Sequence, residues 1–269
     1  MDDRHPTHAR TATRGVTVVE FAGLPGSGKT TSIPTLEHAL GSRGVEALTR
    51  IRVRTPPRAL DRDGVLASAL RLPWFTWHRV RSVMRYRAAA VTAIRALARS
   101  SRTTKHKEAA FRRFAITLDN YESSRSRRSS GSHGVVILSE GIAQSAWALF
   151  VNPPRDAPAR GREIAGFVEQ VPVPDAVVYL RVPPEICLER LGARRPFGIH
   201  ERFEGLEPRT LERVLSTGTA VLDQVVAGLA ARGSVVVEVP GDAPRDHAPR
   251  IWQEAAERIV HSAEHGGSR

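Results

Sequence analysis

Cysteine is almost absent from this 269-residue sequence, where Cys187 stands alone. A disulfide framework and a cysteine-built zinc site are therefore excluded. Lysine is scarce too, found only at 29, 105 and 107, so arginine carries nearly all the positive charge. No apolar run approaches the length of a membrane span, since Val135–Leu138 and Val235–Val239 are strand-sized. The opening stretch MDDRHPTHARTATRG lacks the apolar core of a secretory signal. No Asn-Lys-x-Asp guanine signature occurs, which argues against an ordinary GTPase, and there is no internal repeat. These absences fit a cytoplasmic protein with no membrane partner.

A 41% hydrophobic content suffices for a real core, either as one large α/β domain or as two small ones. The net charge of +12 points toward anionic partners, nucleic acid among them. The skew to arginine, with abundant Ala, Gly and Pro, is also what a GC-rich coding bias produces, so charge alone does not choose a partner.

The most informative stretch is Val16–Leu36, VTVVEFAGLPGSGKTTSIPTL. Val16, Val18, Val19 and Phe21 have the composition of a buried strand. Gly23-Leu-Pro-Gly26-Ser27-Gly28-Lys29-Thr30 then fits the G-x-x-x-x-G-K-[ST] phosphate-binding loop at every fixed position. Glycines let successive N–H groups converge with no Cβ in the way, and the following helix aims its positive end at the same point. Lys29 suits the β- and γ-phosphates, and the Thr30 hydroxyl suits Mg²⁺. The nucleotide-binding candidates are Gly23, Pro25, Gly26, Ser27, Gly28, Lys29, Thr30 and Thr31.

Beyond the loop a helix is expected from Lys29 to Leu40, with Pro34 inside it, and then a second strand over 45–51. From 59 to 127 the pattern is helical. Trp77, Val80, Met84, Ala88, Val91, Ile94 and Ala98 predict one buried stripe, and Phe111, Phe114, Leu118 and Tyr121 a second. Ser123–Gly134 (SSRSRRSSGSHG) reads as a mobile linker. Strands at 135–138, 175–182 and 235–239 alternate with helices, the last including Ile251, Trp252 and Ile259. The alternation predicts a parallel sheet covered on both faces.

Glu140 follows the third strand, on the edge where parallel sheets bind ligands. There a carboxylate can hold Mg²⁺ or take the proton from an attacking hydroxyl. Arg190, Arg194, Arg195 and Arg202 lie in or near a charged loop after the fourth strand, and planar guanidinium groups suit the oxygens of a transferred phosphoryl group. The helical insert between strands two and three is the natural place for an acceptor. Arg50, Arg113, Tyr121 and Glu140 are its candidate contacts.

Pro174-Asp-Ala-Val-Val-Tyr-Leu-Arg-Val-Pro-Pro-Glu-Ile-Cys-Leu-Glu-Arg-Leu-Gly-Ala-Arg194 resembles the strand-four segment of thymidylate kinases and their relatives, and Glu201–Glu207 (ERFEGLE) resembles their lid continuation. With the glycine loop, the resemblance covers the nucleotide-handling parts of the chain. It implies a P-loop nucleoside or nucleotide kinase: an α/β three-layer sandwich with a five-stranded parallel sheet, a helical acceptor-binding insert at 52–134 and an arginine-rich lid at 193–206. The folded domain would span 15–262, with disordered tails at 1–14 and 263–269. ATP and Mg²⁺ are the implied co-substrates, with Lys29 and the lid arginines Arg194, Arg195 and Arg202 stabilising the transferred group, Arg190 on the nucleotide, and Thr30 and Glu140 on the metal.

Where thymidylate kinases carry Asp-Arg-Tyr, this chain has Ser139-Glu140-Gly141, and their Arg-Glu-Pro is reduced to Thr49-Arg50-Ile51. Both motifs serve the acceptor, so the acceptor stays open. It can be a nucleoside, a nucleotide, or the hydroxyl of a sugar or antibiotic. A nucleic-acid-associated ATPase or polynucleotide kinase is the reading from a different class. A homodimer is compatible with all of these.

Overall fold

The computed structural model describes residues 16–50, 77–100, 102–129, 133–151, 161–193, 206–242 and 248–265. Five strands, β1 (Val16–Gly23), β2 (Ala47–Arg50), β3 (Gly134–Leu138), β4 (Ala176–Arg181) and β5 (Val235–Pro240), form one sheet in the order β2-β3-β1-β4-β5. Every neighbouring pair is parallel. Among the described residues the helices are α1 (Lys29–Gly41), α2 (77–85), α3 (Arg87–Ala98), α4 (Thr104–Ser129), α5 (Ile142–Phe150), α6 (Gly161–Gln170), α7 (Pro184–Ala193), α8 (Pro208–Ala231) and α9 (Ala248–His265).

Every residue of β1 and β3 is buried, as befits strands covered on both faces. Alternation along β1 sends Val19 and Phe21 to a core shared with Ile33, Leu36 and Leu40 of α1 and with Trp252 and Ile259 of α9. Phe21 stacks on Trp252 with ring centroids 6.0 Å apart. Val16, Val18 and Ala22 point the other way, into the core built by α3 to α8. The chain therefore leaves β1 toward one face and leaves β3 and β4 toward the other. Such a reversal between neighbouring parallel strands is the place where open α/β sheets bind ligands, at the C-terminal ends of the strands.

α8 is long and apolar enough in composition to cross a membrane, but its residues Leu215, Val221, Leu222, Val225 and Leu229 are fully buried in the core. The second expected stripe is core as well: Phe114, Leu118 and Tyr121 are buried, and Phe114 meets Phe167 of α6 at 5.5 Å.

Two expectations are corrected. The low-complexity run does not break at Ser123, because α4 continues to Ser129. Ser123 Oγ donates to the Asp119 carbonyl and Ser124 Oγ to that of Asn120, so the hydroxyls bond back onto the helix, and arginine is a good helix former. The first apolar stripe is not core. Trp77, Val80, Met84, Val91 and Ile94 are exposed, and α3 buries Ala89, Ala90, Ala93 and Leu97 instead. Small side chains bring α3 close to its neighbours, so the alanine face wins the packing over the bulky one. Pro34 sits inside α1 as expected.

Candidate functional site

Gly23 ends β1 and opens a tight loop into α1. Gly26 and Gly28 hold φ of 86° and 96°, in the left-handed region that side chains disfavour. Space forbids a side chain at two positions. A Cβ on Gly26 would sit 2.7 Å from the Cys187 carbonyl oxygen, and one on Gly23 would sit 2.7 Å from Ser27 Oγ. Gly28 is the N-cap of α1 and supplies no side-chain cap, which leaves the positive end of the helix facing the loop. Ser27 N–H donates to the Leu24 carbonyl at 3.1 Å and closes the turn.

The Lys29 ammonium lies across the loop, donating to the carbonyls of Gly23 at 2.7 Å and Leu24 at 2.8 Å. Ser27 Oγ is buried and has no hydrogen-bond partner. A buried hydroxyl without a partner is costly in a finished structure and ordinary in a cradle built for a ligand. Thr30 and Thr31 are exposed, and the Thr31 hydroxyl donates to the Gly28 carbonyl at 2.7 Å.

Beside the loop lies a cleft of about 680 Å³. Gly28, Thr31, Thr35, Arg190, Gly241 and Trp252 are among its lining residues. Arg190 donates to the Gly241 carbonyl at 2.9 Å and so ties α7 to the segment after β5. The structure thus brings Arg190 to the wall of the cleft that borders the glycine loop. A larger cavity of about 1030 Å³ opens at the opposite edge of the sheet, against Val18, Pro174, Asp175 and Val235 at the strand starts.

Glu140 comes off β3, and β3 lies directly beside β1. Leu138 pairs with Glu20, so Glu140 emerges just past the strand end next to the one from which the glycine loop departs. Arg50 closes β2 opposite Leu138, which puts its backbone on the same edge. Arg194, Arg195 and Arg202 lie outside the described residues.

Glu20 is the residue that sequence reasoning missed. It sits in β1 with no exposure, and its carboxylate accepts from Tyr121 Oη at 2.6 Å, Ile142 N–H at 2.7 Å and Ala143 N–H at 3.0 Å. A strand side chain thereby caps α5, the helix that starts directly after Ser139-Glu140-Gly141. Gly141 makes the approach possible, since a Cβ there would overlap the Glu20 carboxylate. Burial pushes the Glu20 carboxyl above its ordinary 4.5, while the bonds from Tyr121, Ala143 and Ile142 pull the other way. The signal was present: a lone acid among Val18, Val19, Phe21 and Ala22.

One expected acceptor contact, Tyr121, is committed inside the core. Tyr121 is buried, with its hydroxyl committed to Glu20, so it is a strut and not an open stacking platform. Arg113 lies near Arg102, whose guanidinium donates to the carbonyls of Ala148 and Val151 at the C-terminal end of α5. Burial, with the charge of Arg113, lowers Arg102 to about 10. No group of three or more His, Cys, Asp or Glu suited to a metal occurs among the described residues.

Neither a scan against models of known protein families nor a search of curated proteins finds a match for this chain.

Proposed function

We propose that the chain is an ATP-dependent phosphotransferase that moves the γ-phosphate to a hydroxyl-bearing small molecule. One observation carries this reading: a glycine loop at the C-terminal end of the central strand keeps a buried hydroxyl, Ser27 Oγ, without a partner. Incoming phosphate oxygens would satisfy that hydroxyl and the uncapped N–H groups of α1. Lys29 would exchange two loop carbonyls for the β- and γ-phosphates, a trade of neutral acceptors for charged ones that favours the bound state.

Thr30, with an exposed hydroxyl in the first turn of α1, and Glu140 are the residues that would hold Mg²⁺, which when bound neutralises charge on the phosphates. Glu140 would accept the proton of the acceptor hydroxyl as its oxygen bonds to phosphorus. The bond from that phosphorus to the bridging oxygen breaks, and ADP leaves with the electron pair. Arg190 and the cleft beyond it would receive the nucleoside end of ATP.

Screening nucleosides, nucleotides, sugars and aminoglycoside-like alcohols for ADP release tests the reading. Acceptor-dependent ADP release is expected from a hydroxyl compound. Release stimulated by DNA or RNA, with binding that falls steeply as salt rises, would favour a nucleic-acid-associated enzyme instead.

A further inference from the structure

We propose that the outward face of α2 and α3 is a docking surface for an anionic phospholipid bilayer. This is independent of the phosphotransferase reading, and it replaces the expectation of no membrane partner. Trp77 is 66% exposed, Val80 46%, Met84 63%, Val91 44% and Ile94 52%; among the described residues the only other large apolar side chain in that state is Leu48. The two helices are consecutive in the chain. They meet at Tyr86, whose φ of −105° and ψ of 38° are not helical: Tyr86 N–H closes α2 on the Ser82 carbonyl, and Ala90 N–H opens α3 on that of Tyr86. Residues 77, 80 and 84 share one side of α2, and Val91 and Ile94 lie on α3 away from the alanines it buries.

Charge identifies the occupant. Between Trp77 and Lys107 the sequence contains no Asp or Glu. Arg81, Arg85, Arg87, Arg95 and Arg99 are all exposed beside the apolar side chains. Arg85 and Arg99 are paired with Glu122 and Glu163 on neighbouring helices. A second copy of this face would set arginine against arginine. A helical partner would want a groove, and neither cavity described above includes a residue of α2 or α3. An anionic bilayer needs no groove: apolar side chains enter the acyl boundary while arginine stems lie alongside and their guanidinium groups meet lipid phosphates. Trp77 is the residue type that favours this interface.

The test is co-sedimentation of the full chain with phosphatidylcholine vesicles, with and without about 30% phosphatidylglycerol as the anionic lipid. Binding is expected only with the anionic vesicles, and a Trp77→Ser/Met84→Ser variant of unchanged circular dichroism should bind about tenfold more weakly or worse. An Arg81→Glu/Arg95→Glu variant, which removes none of these apolar groups, should lose binding comparably. Absence of binding to anionic vesicles overturns the proposal. So does undiminished binding by Trp77→Ser/Met84→Ser, which would mark a generic charge effect. A dimer that this variant makes monomeric, without vesicle binding, would assign the face to a second copy and overturn it too.

Discussion

The Glu20 carboxylate and the Tyr121 hydroxyl meet at 2.6 Å, joining the central strand to α4 in the helical insert. The same carboxylate caps α5, so one buried acid ties together the strand that launches the glycine loop and the turn that carries Glu140. Removing either partner leaves a buried polar group unsatisfied. Tyr121→Phe is expected to cost about 1–3 kcal/mol, and Glu20→Ala more, because it strands two N–H groups and a hydroxyl together. Gly141→Ala should be at least as damaging through overlap with Glu20. Urea unfolding midpoints check all three, and a neutral Gly141→Ala would contradict the geometry.

Glu20 also sets a pH dependence. Its folded carboxyl titrates above 4.5, so through the window from 4.5 upward the folded state binds more protons than the unfolded one. The contribution of this group to stability is therefore full below 4.5 and is lost as pH rises through the folded value. Relative to Glu20→Gln, the wild type should lose stability as pH climbs from 4.5 toward neutrality. A difference between the two proteins that does not vary with pH would show that burial does not perturb this group.

Much of the fold was legible in the sequence because the decisive signals are local. Val16–Gly23 is a strand by composition, the loop after it is fixed by its glycines, and the bounds of α8 follow from Pro208 and a long amphipathic pattern. What was not legible depends on partners. The buried face of α3 is its alanine face, a choice made by how closely neighbouring helices pack and not by side-chain size. Ser123 and Ser124 suggest a break by composition, yet in place they bond to Asp119 and Asn120. Glu20 reads as an oddity until β3 lies beside it and brings the start of α5 within reach.

Cys187 is buried at the back of the loop, and burial pushes its thiol up to about 11. It should resist maleimide labelling at neutral pH until the protein unfolds. Labelling against urea concentration would then track global unfolding. Fast modification of the native chain would mean that α7 and the glycine loop do not pack as described.

Glu140→Gln separates proton acceptance from nucleotide binding. The variant should lose about 10²- to 10⁴-fold in kcat with little change in the KM for ATP. Steady-state kinetics with a responding acceptor decide this. An effect confined to the KM for ATP would reduce Glu140 to support of the metal.

The most direct test is phosphorus NMR of MgATP mixed with the full chain and the acceptor panel, run beside Lys29→Ala. Lys29 spans the loop through two carbonyl bonds, so its loss should cost only about 1–2 kcal/mol of stability and leave the fold intact. The wild type is expected to produce ADP and a new phosphoester resonance, and the variant neither. The same resonance growing at an unchanged rate with Lys29→Ala, or no phosphoester from any acceptor with the wild type, would contradict the account.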